Sequence, residues 1–171
     1  RGRDVSVDEM RHPLTVRERP EPGPVRAVIF DWGGTLTPWH TVDLGQQWRV
    51  FAREVQGISI DSDDVPQEDL DRAQEIADRI HSVESAAWQR VKEDHVSAHL
   101  DEILTEAGMS PRDDRHHVAL AAYRRFWEPH THTDPEVRPL LEGLRERGLR
   151  TGVLSNTIWS GDYHREIFER D

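Results

Sequence analysis

The sequence predicts an α/β fold: an open parallel sheet interrupted after its first strand by an all-helical insertion. Three observations carry this reading. Two short β-rich runs each end in a polar turn, a long stretch between them has helical apolar spacing, and a helix immediately precedes the second run. Ligands of such sheets sit at the carboxyl ends of the strands, so the two turns are the first places to look for chemistry.

Residues 1–24 mix charge with proline and end in Arg19-Pro20-Glu21-Pro22-Gly23-Pro24. That segment can neither continue a helix nor pair as a central strand, and a flexible leader is expected. Val25-Arg26-Ala27-Val28-Ile29-Phe30 then reads as a short buried strand, entering a glycine turn at Asp31-Trp32-Gly33-Gly34-Thr35.

From about residue 43 to 128 the spacing is helical. Leu44, Trp48, Phe51, Ala52 and Val55 share one face, with Asp43 and Gln46 spaced as a capping box and Gly57 as the stop. A second helical run carries Leu70, Ala73, Ile76, Ala77 and Ile80 after Pro66. A third carries Trp88, Val91, Leu100, Ile103, Leu104 and Ala107 up to Gly108. A fourth begins near Asp113 or Asp114 and holds Val118, Ala122 and Phe126 before Pro129. After Asp134-Pro135, a helix turns Val137, Leu140, Leu141 and Leu144 inward and closes at Gly148. The strand Arg150-Thr151-Gly152-Val153-Leu154 follows and opens into Ser155-Asn156-Thr157, and Trp159 to Asp171 reads as helix. There is no internal repeat.

Composition narrows the chemistry. A chain of 171 residues with 35% hydrophobic content can bury one core, or a small core with an insertion. Without cysteine there are no disulfides, thiolate metal sites or sulfur nucleophiles, so any nucleophile carries oxygen or nitrogen. A net charge of -11 repels polyanions, and no basic stripe interleaves with aromatics, which argues against nucleic acid as a partner. No apolar run approaches the roughly 18 residues of a membrane helix and no signal-peptide pattern opens the chain, so a soluble, cytoplasmic protein is expected. Lys92 is the sole lysine. The start at Arg1 suggests a fragment or a processed product.

Asp31, at a strand end and followed by two glycines and a threonine, offers a carboxylate beside backbone amides that can cradle an anion. Such a carboxylate can attack phosphorus and form an acyl phosphate. Read alone, the same residue equally suits a simple turn.

The segment Val28-Ile29-Phe30-Asp31-Trp32-Gly33-Gly34-Thr35-Leu36-Thr37 resembles the first motif of the haloacid dehalogenase-like (HAD) superfamily, a strand followed by Asp-x-Asp-Gly-Thr-Leu. Val153-Leu154-Ser155-Asn156 resembles the second. The resemblance implies a hydrolase with a Rossmann-like core, here incomplete, over 25–40 and 131–171, and a helical cap over 41–130. It implies Asp31 as nucleophile and magnesium ligand, the Gly33 carbonyl as a second ligand, and Ser155, Asn156, Gly34 and Thr35 around the anion of a small phosphorylated or similarly activated substrate. Mg2+ is therefore the implied cofactor.

Two departures qualify the resemblance. Gly33 stands where the phosphatase pattern has a second aspartate, the general acid and base, whose loss typically costs about 10²–10⁴-fold. His40 and Asp43 are the substitutes the sequence offers nearby, although a solvated loop histidine is the plainer account of His40. Members lacking that aspartate include dehalogenases and phosphonatases. The latter carry Asp-Trp-Ala-Gly-Thr and a cap lysine that forms a Schiff base, for which Lys92 is the candidate, though it lies farther downstream than that pattern expects. The third and fourth motifs, a basic residue and paired aspartates, have no counterpart between Thr157 and Asp171, which suggests truncation. A non-catalytic, degenerate HAD-like binding domain is the alternative.

Two further clusters read more plainly. Glu128, His130, His132 and Asp134 alternate as metal ligands on a strand would, but Pro129 and Pro135 make them a polar hinge. Trp48 and Trp88 could serve a homodimer through the cap, core packing being the commoner use.

Overall fold

The computed structural model describes residues 23–38 and 42–171. His40, and all of the expected leader but its last two residues, fall outside them. The order is β1 (Ala27–Phe30), α1 (Leu44–Val55), α2 (Gln67–Asp94), α3 (Leu100–Glu106), α4 (Asp114–Trp127), a 3-10 turn (Glu128–His130), α5 (Val137–Glu146), β2 (Arg150–Val153) and α6 (Gly161–Arg170). No helix among the described residues is long and apolar enough to cross a membrane.

α1 begins where the Asp43 carboxylate accepts from the Gly45 amide at 2.9 Å, a simple N-cap in place of the expected reciprocal box with Gln46. It ends in a six-to-one bond from the Ile58 amide to the Arg53 carbonyl, at 2.9 Å, over Gly57 at φ 77°. No glycine or proline interrupts 67–94, and α2 runs through all of it until His95 takes a left-handed φ of 56°. Trp88 and Val91 therefore belong to α2, and the third expected helix shrinks to α3. Asp113 caps α4 by accepting from the Arg115 amide at 2.9 Å. On α4 the inward residues are His116, Ala119, Ala122 and Tyr123, while Val118 is 52% exposed, so the inward stripe is displaced from the expected one.

α1 packs against α2 and α4, and α3 against α2. Their shared core holds Trp48, Phe51, Ala77, Ile80, Leu104 and Tyr123, joined by Ile158 from beyond β2. Small residues on α2, Ala73, Ala77 and Ala87, permit close approach to the large rings of α1 and α4. Trp48 stacks on Tyr123 with centroids 4.6 Å apart, Tyr123 meets Trp159 at 5.1 Å, and Trp159 stacks on Tyr163 at 4.4 Å. The Tyr123 hydroxyl, buried, donates to Gln47 Oε1 at 3.1 Å.

β1 and β2 pair in parallel with Phe30 opposite Val153, forming a two-stranded sheet, and α5 packs against β2. The strands expected to be buried are not: Ile29 is 68% exposed and Leu154 72%. Among the described residues only one helix lies against this pair of strands, and an apolar strand needs a layer on each face to be buried. α5 likewise buries Val137 but leaves Leu140 46% exposed. Glu128–His130 form a 3-10 turn, not a strand, so the alternation across 128–134 puts nothing on a common side, and no metal-binding group of His, Cys, Asp or Glu occurs among the described residues.

A Cβ on Gly57 would fall 1.2 Å from the Arg115 guanidinium, at a φ that L residues adopt at a cost of roughly 1–2 kcal/mol. Gly57→Ala is expected to destabilise the fold by that order, read as a lower urea midpoint of unfolding, whereas Gly23→Ala, where a Cβ meets nothing within 4 Å, leaves the midpoint in place.

Candidate active site

The first turn is closed by one carbonyl. Trp32 O accepts from the amides of Thr35 at 3.2 Å, Leu36 at 2.8 Å and Thr37 at 3.2 Å, and from Thr37 Oγ1 at 3.4 Å. Leu36 and Thr37 are thereby buried, and Leu36 O accepts from the Asp134 amide at 2.9 Å, tying the turn to the segment before α5. The Trp32 indole meets His164 at 5.1 Å and Phe168 at 6.1 Å, so α6 braces the same turn. Gly34 makes the bend at φ 76°. Asp31 stays exposed, its Oδ1 accepting from the Trp32 amide at 2.8 Å.

Parallel pairing brings the second turn to the same end of the sheet. The register that sets Phe30 opposite Val153 is extended by the Leu154 amide donating to Phe30 O at 2.9 Å, so Asp31 and Ser155 emerge at one edge. A cavity of about 940 Å³ opens there. Asp31, Gly33, Gly34, Ser155 and Asn156 line one side. Thr35 is exposed and absent from that wall, where Thr37 lines instead, and the Thr35 amide is already committed to Trp32 O.

The opposite wall comes from helices. His81, Glu84, Ser85, Trp88 and Lys92 of α2 all line the cavity, and the spacing of three, four and four residues between 81, 84, 88 and 92 places those four in one stripe along the helix. Tyr123 and Trp127 of α4 complete it, with Trp159 and Tyr163. Sequence reading looked for the apolar face of this helix and passed over the polar stripe, although the recurrence at 81, 84, 88 and 92 was visible. Trp48 is 1% exposed in the core, and Trp88 is half-buried on the cavity wall.

Glu84 is the least solvated carboxylate of this wall, its side chain 12% exposed. Trp48 Nε1 donates to Oε2 at 2.7 Å and Gln47 Nε2 to the same oxygen at 3.3 Å. His81 Nδ1 stands 3.9 Å away. Burial pushes the Glu84 carboxyl above its ordinary range, against the opposing pull of the Trp48 indole, of His81 and of Trp88.

A family model described as haloacid dehalogenase-like hydrolase matches residues 25–163, from the first strand through both turns into α6. The chain belongs to the haloacid dehalogenase-like hydrolases. No curated protein and no solved structure matches it.

As a HAD-like hydrolase the chain is short of two groups. Asp43, one candidate for the carboxylate missing at Gly33, caps α1, and the other, His40, lies outside the described residues. Members of the family generally use magnesium, which takes about six oxygens in near-octahedral array. Here Asp31 and the Gly33 carbonyl would provide two, and no group of three or more suitable side chains exists among the described residues. These residues alone do not make a magnesium site.

The folded state favours protonated Glu84, so its contribution to stability is fully present below the ordinary value of 4.5 and is lost as pH rises through the elevated one. The stability of the parent chain relative to Glu84→Gln is therefore expected to increase as pH falls from 7 toward 4.5, read as the difference between urea midpoints. A difference that does not change with pH contradicts the assignment.

Proposed function

We propose that this HAD-like hydrolase cleaves a small phosphorylated substrate by nucleophilic attack of Asp31, with Ser155 and Asn156 at the anion and the helices spanning 41–130 acting as a cap over a core of 25–40 and 131–171. The observation that carries the reading is the convergence of Asp31 and Ser155, from the ends of two parallel strands, on the wall of one cavity.

In this scheme an Asp31 oxygen attacks phosphorus, the bond to the leaving oxygen breaks, and an acyl phosphate forms. Water then attacks that phosphorus, releasing phosphate and the free carboxylate. Ser155 holds a phosphoryl oxygen by its hydroxyl. The leaving oxygen needs a proton that Gly33 cannot give, and the titratable side chains lining the cavity besides Asp31 are His81, Glu84, Lys92, Tyr123, His130 and Tyr163. The helical wall excludes water and selects the leaving group.

Full-length protein is expected to turn over a panel of phosphate esters, assayed with and without magnesium. Asp31→Asn should abolish turnover, and Ser155→Ala should cost roughly a hundredfold in kcat. Absence of turnover in the parent would leave a binding domain in place of the enzyme.

One observation favours a second reading. Lys92, the sole lysine, lines the cavity together with Asp31. In phosphonatase-type chemistry it would condense with a substrate aldehyde, releasing water, and the imine would accept the electron pair of the breaking carbon–phosphorus bond. Borohydride added with an aldehyde phosphonate should then attach the substrate carbons to Lys92, detected by peptide mass. Unmodified Lys92 under turnover conditions excludes this route.

A further inference from the structure

The α2 wall holds a carboxylate whose charge nothing fixed in the protein neutralises. Glu84 is nearly out of solvent, and the groups that donate to it are neutral: the Trp48 indole and the Gln47 amide share Oε2, and the Trp88 indole adds its pull. The basic group within salt-bridge reach among the described residues is His81, at 3.9 Å, with a side chain 60% exposed and charged only when protonated. Lys92 lies eight residues farther along the same stripe, about 12 Å on by helix rise. An ionised carboxylate in such a place is costly unless a cation reaches it, and burial indeed pushes it toward the neutral form. Yet Glu84 faces the cavity, where a ligand can supply the missing charge.

Its surroundings narrow the kind of cation. One turn on, the Trp88 indole lines the cavity beside Glu84, and Tyr123 and Trp127 line it from α4. A hard divalent ion wants several oxygens, and this corner offers one carboxylate among rings. An alkylammonium group wants what is present: a single anion for the charge and aromatic surface for the carbon-bound hydrogens. Arg124, which does not line the cavity, already shows this chemistry elsewhere in the fold, its guanidinium 5.1 Å over the Tyr163 ring.

We propose that Glu84 and Trp88 form a subsite for an alkylammonium group, so that the substrate is a phosphorylated amino or quaternary ammonium alcohol. Its phosphate end lies toward Asp31 and Ser155 and its cationic end against α2. The first half stands on the two side chains alone; the second rests on the phosphatase reading above.

The test compares choline with 3,3-dimethyl-1-butanol, the isostere in which carbon replaces the charged nitrogen. Full-length protein is titrated with each by calorimetry, and by the fluorescence of its tryptophans. Choline is expected to bind at least roughly tenfold more tightly than the neutral isostere, and Glu84→Gln to remove most of that preference. Equal affinity of the parent for the two compounds, or a preference that survives Glu84→Gln, overturns the subsite. The comparison on the parent needs no variant, and Trp88→Leu provides a second one if Glu84→Gln unfolds. The corresponding phosphate esters separate the two ideas. Choline preference with no ester hydrolysed defeats the phosphatase reading and leaves the subsite, whereas hydrolysis of both esters at equal kcat/KM defeats the subsite and leaves the phosphatase.

Discussion

The stack of Trp48, Tyr123, Trp159 and Tyr163 is the interaction on which the arrangement of this protein turns. Trp48 belongs to α1, Tyr123 to α4, Trp159 to the chain leaving the second turn and Tyr163 to α6, so one run of ring contacts spans the helical unit and the strand-end region. Each aromatic pair contributes about 0.5–1.5 kcal/mol beyond its buried area. The chain reinforces it nearby: the Leu100 amide donates to Ile158 O at 2.8 Å, and Ile158 enters the helical core. Without these contacts the helices would have no fixed distance from Asp31 and Ser155.

That stack also explains why the cavity has two unlike sides. The strand-end side is backbone held by backbone, with three amides on Trp32 O and the parallel register fixing the level of the two turns. Such a surface suits an anion and allows little variation. The helical side is made of side chains on α2 and α4, where one substitution changes charge or shape without disturbing the turn. In the proposed hydrolase, chemistry and selectivity would thus rest on different physical foundations, peptide hydrogen bonds on one wall and side-chain identity on the other.

The two-stranded sheet contributes position more than stability. Its apolar strand residues are largely exposed, in contrast to the nearly solvent-free helical core, so hydrophobic burial is concentrated in α1–α4. The strands are held by their pairing, by α5 and by the clasp at Asp171, whose carboxylate accepts from the Thr133 amide at 2.8 Å while Arg170 donates to Thr131 O at 2.9 Å. That clasp and the Asp134–Leu36 bond join α6 and the segment before α5 to the first turn.

Much of this was legible in the sequence because it is local. Asp43 and Asp113 as caps, Gly57 and Gly148 as left-handed stops, both strands and the family of the chain follow from residue types at short spacing. α2 is longer than its apolar spacing suggests because no breaker interrupts it, and the inward face of α4 is legible only in part, Ala122 being buried as expected, because partners and not hydrophobicity alone choose the buried stripe. His116 is buried while Val118 is not. What tertiary structure alone decided is which polar residues share a cavity. Glu84 and Lys92 are separated from Asp31 by more than fifty positions and no periodicity of the chain refers one to the other. Their meeting depends on the angle at which helices pack, which is set by the fit of rings such as Trp48 and Tyr123 and not by any short stretch of residues.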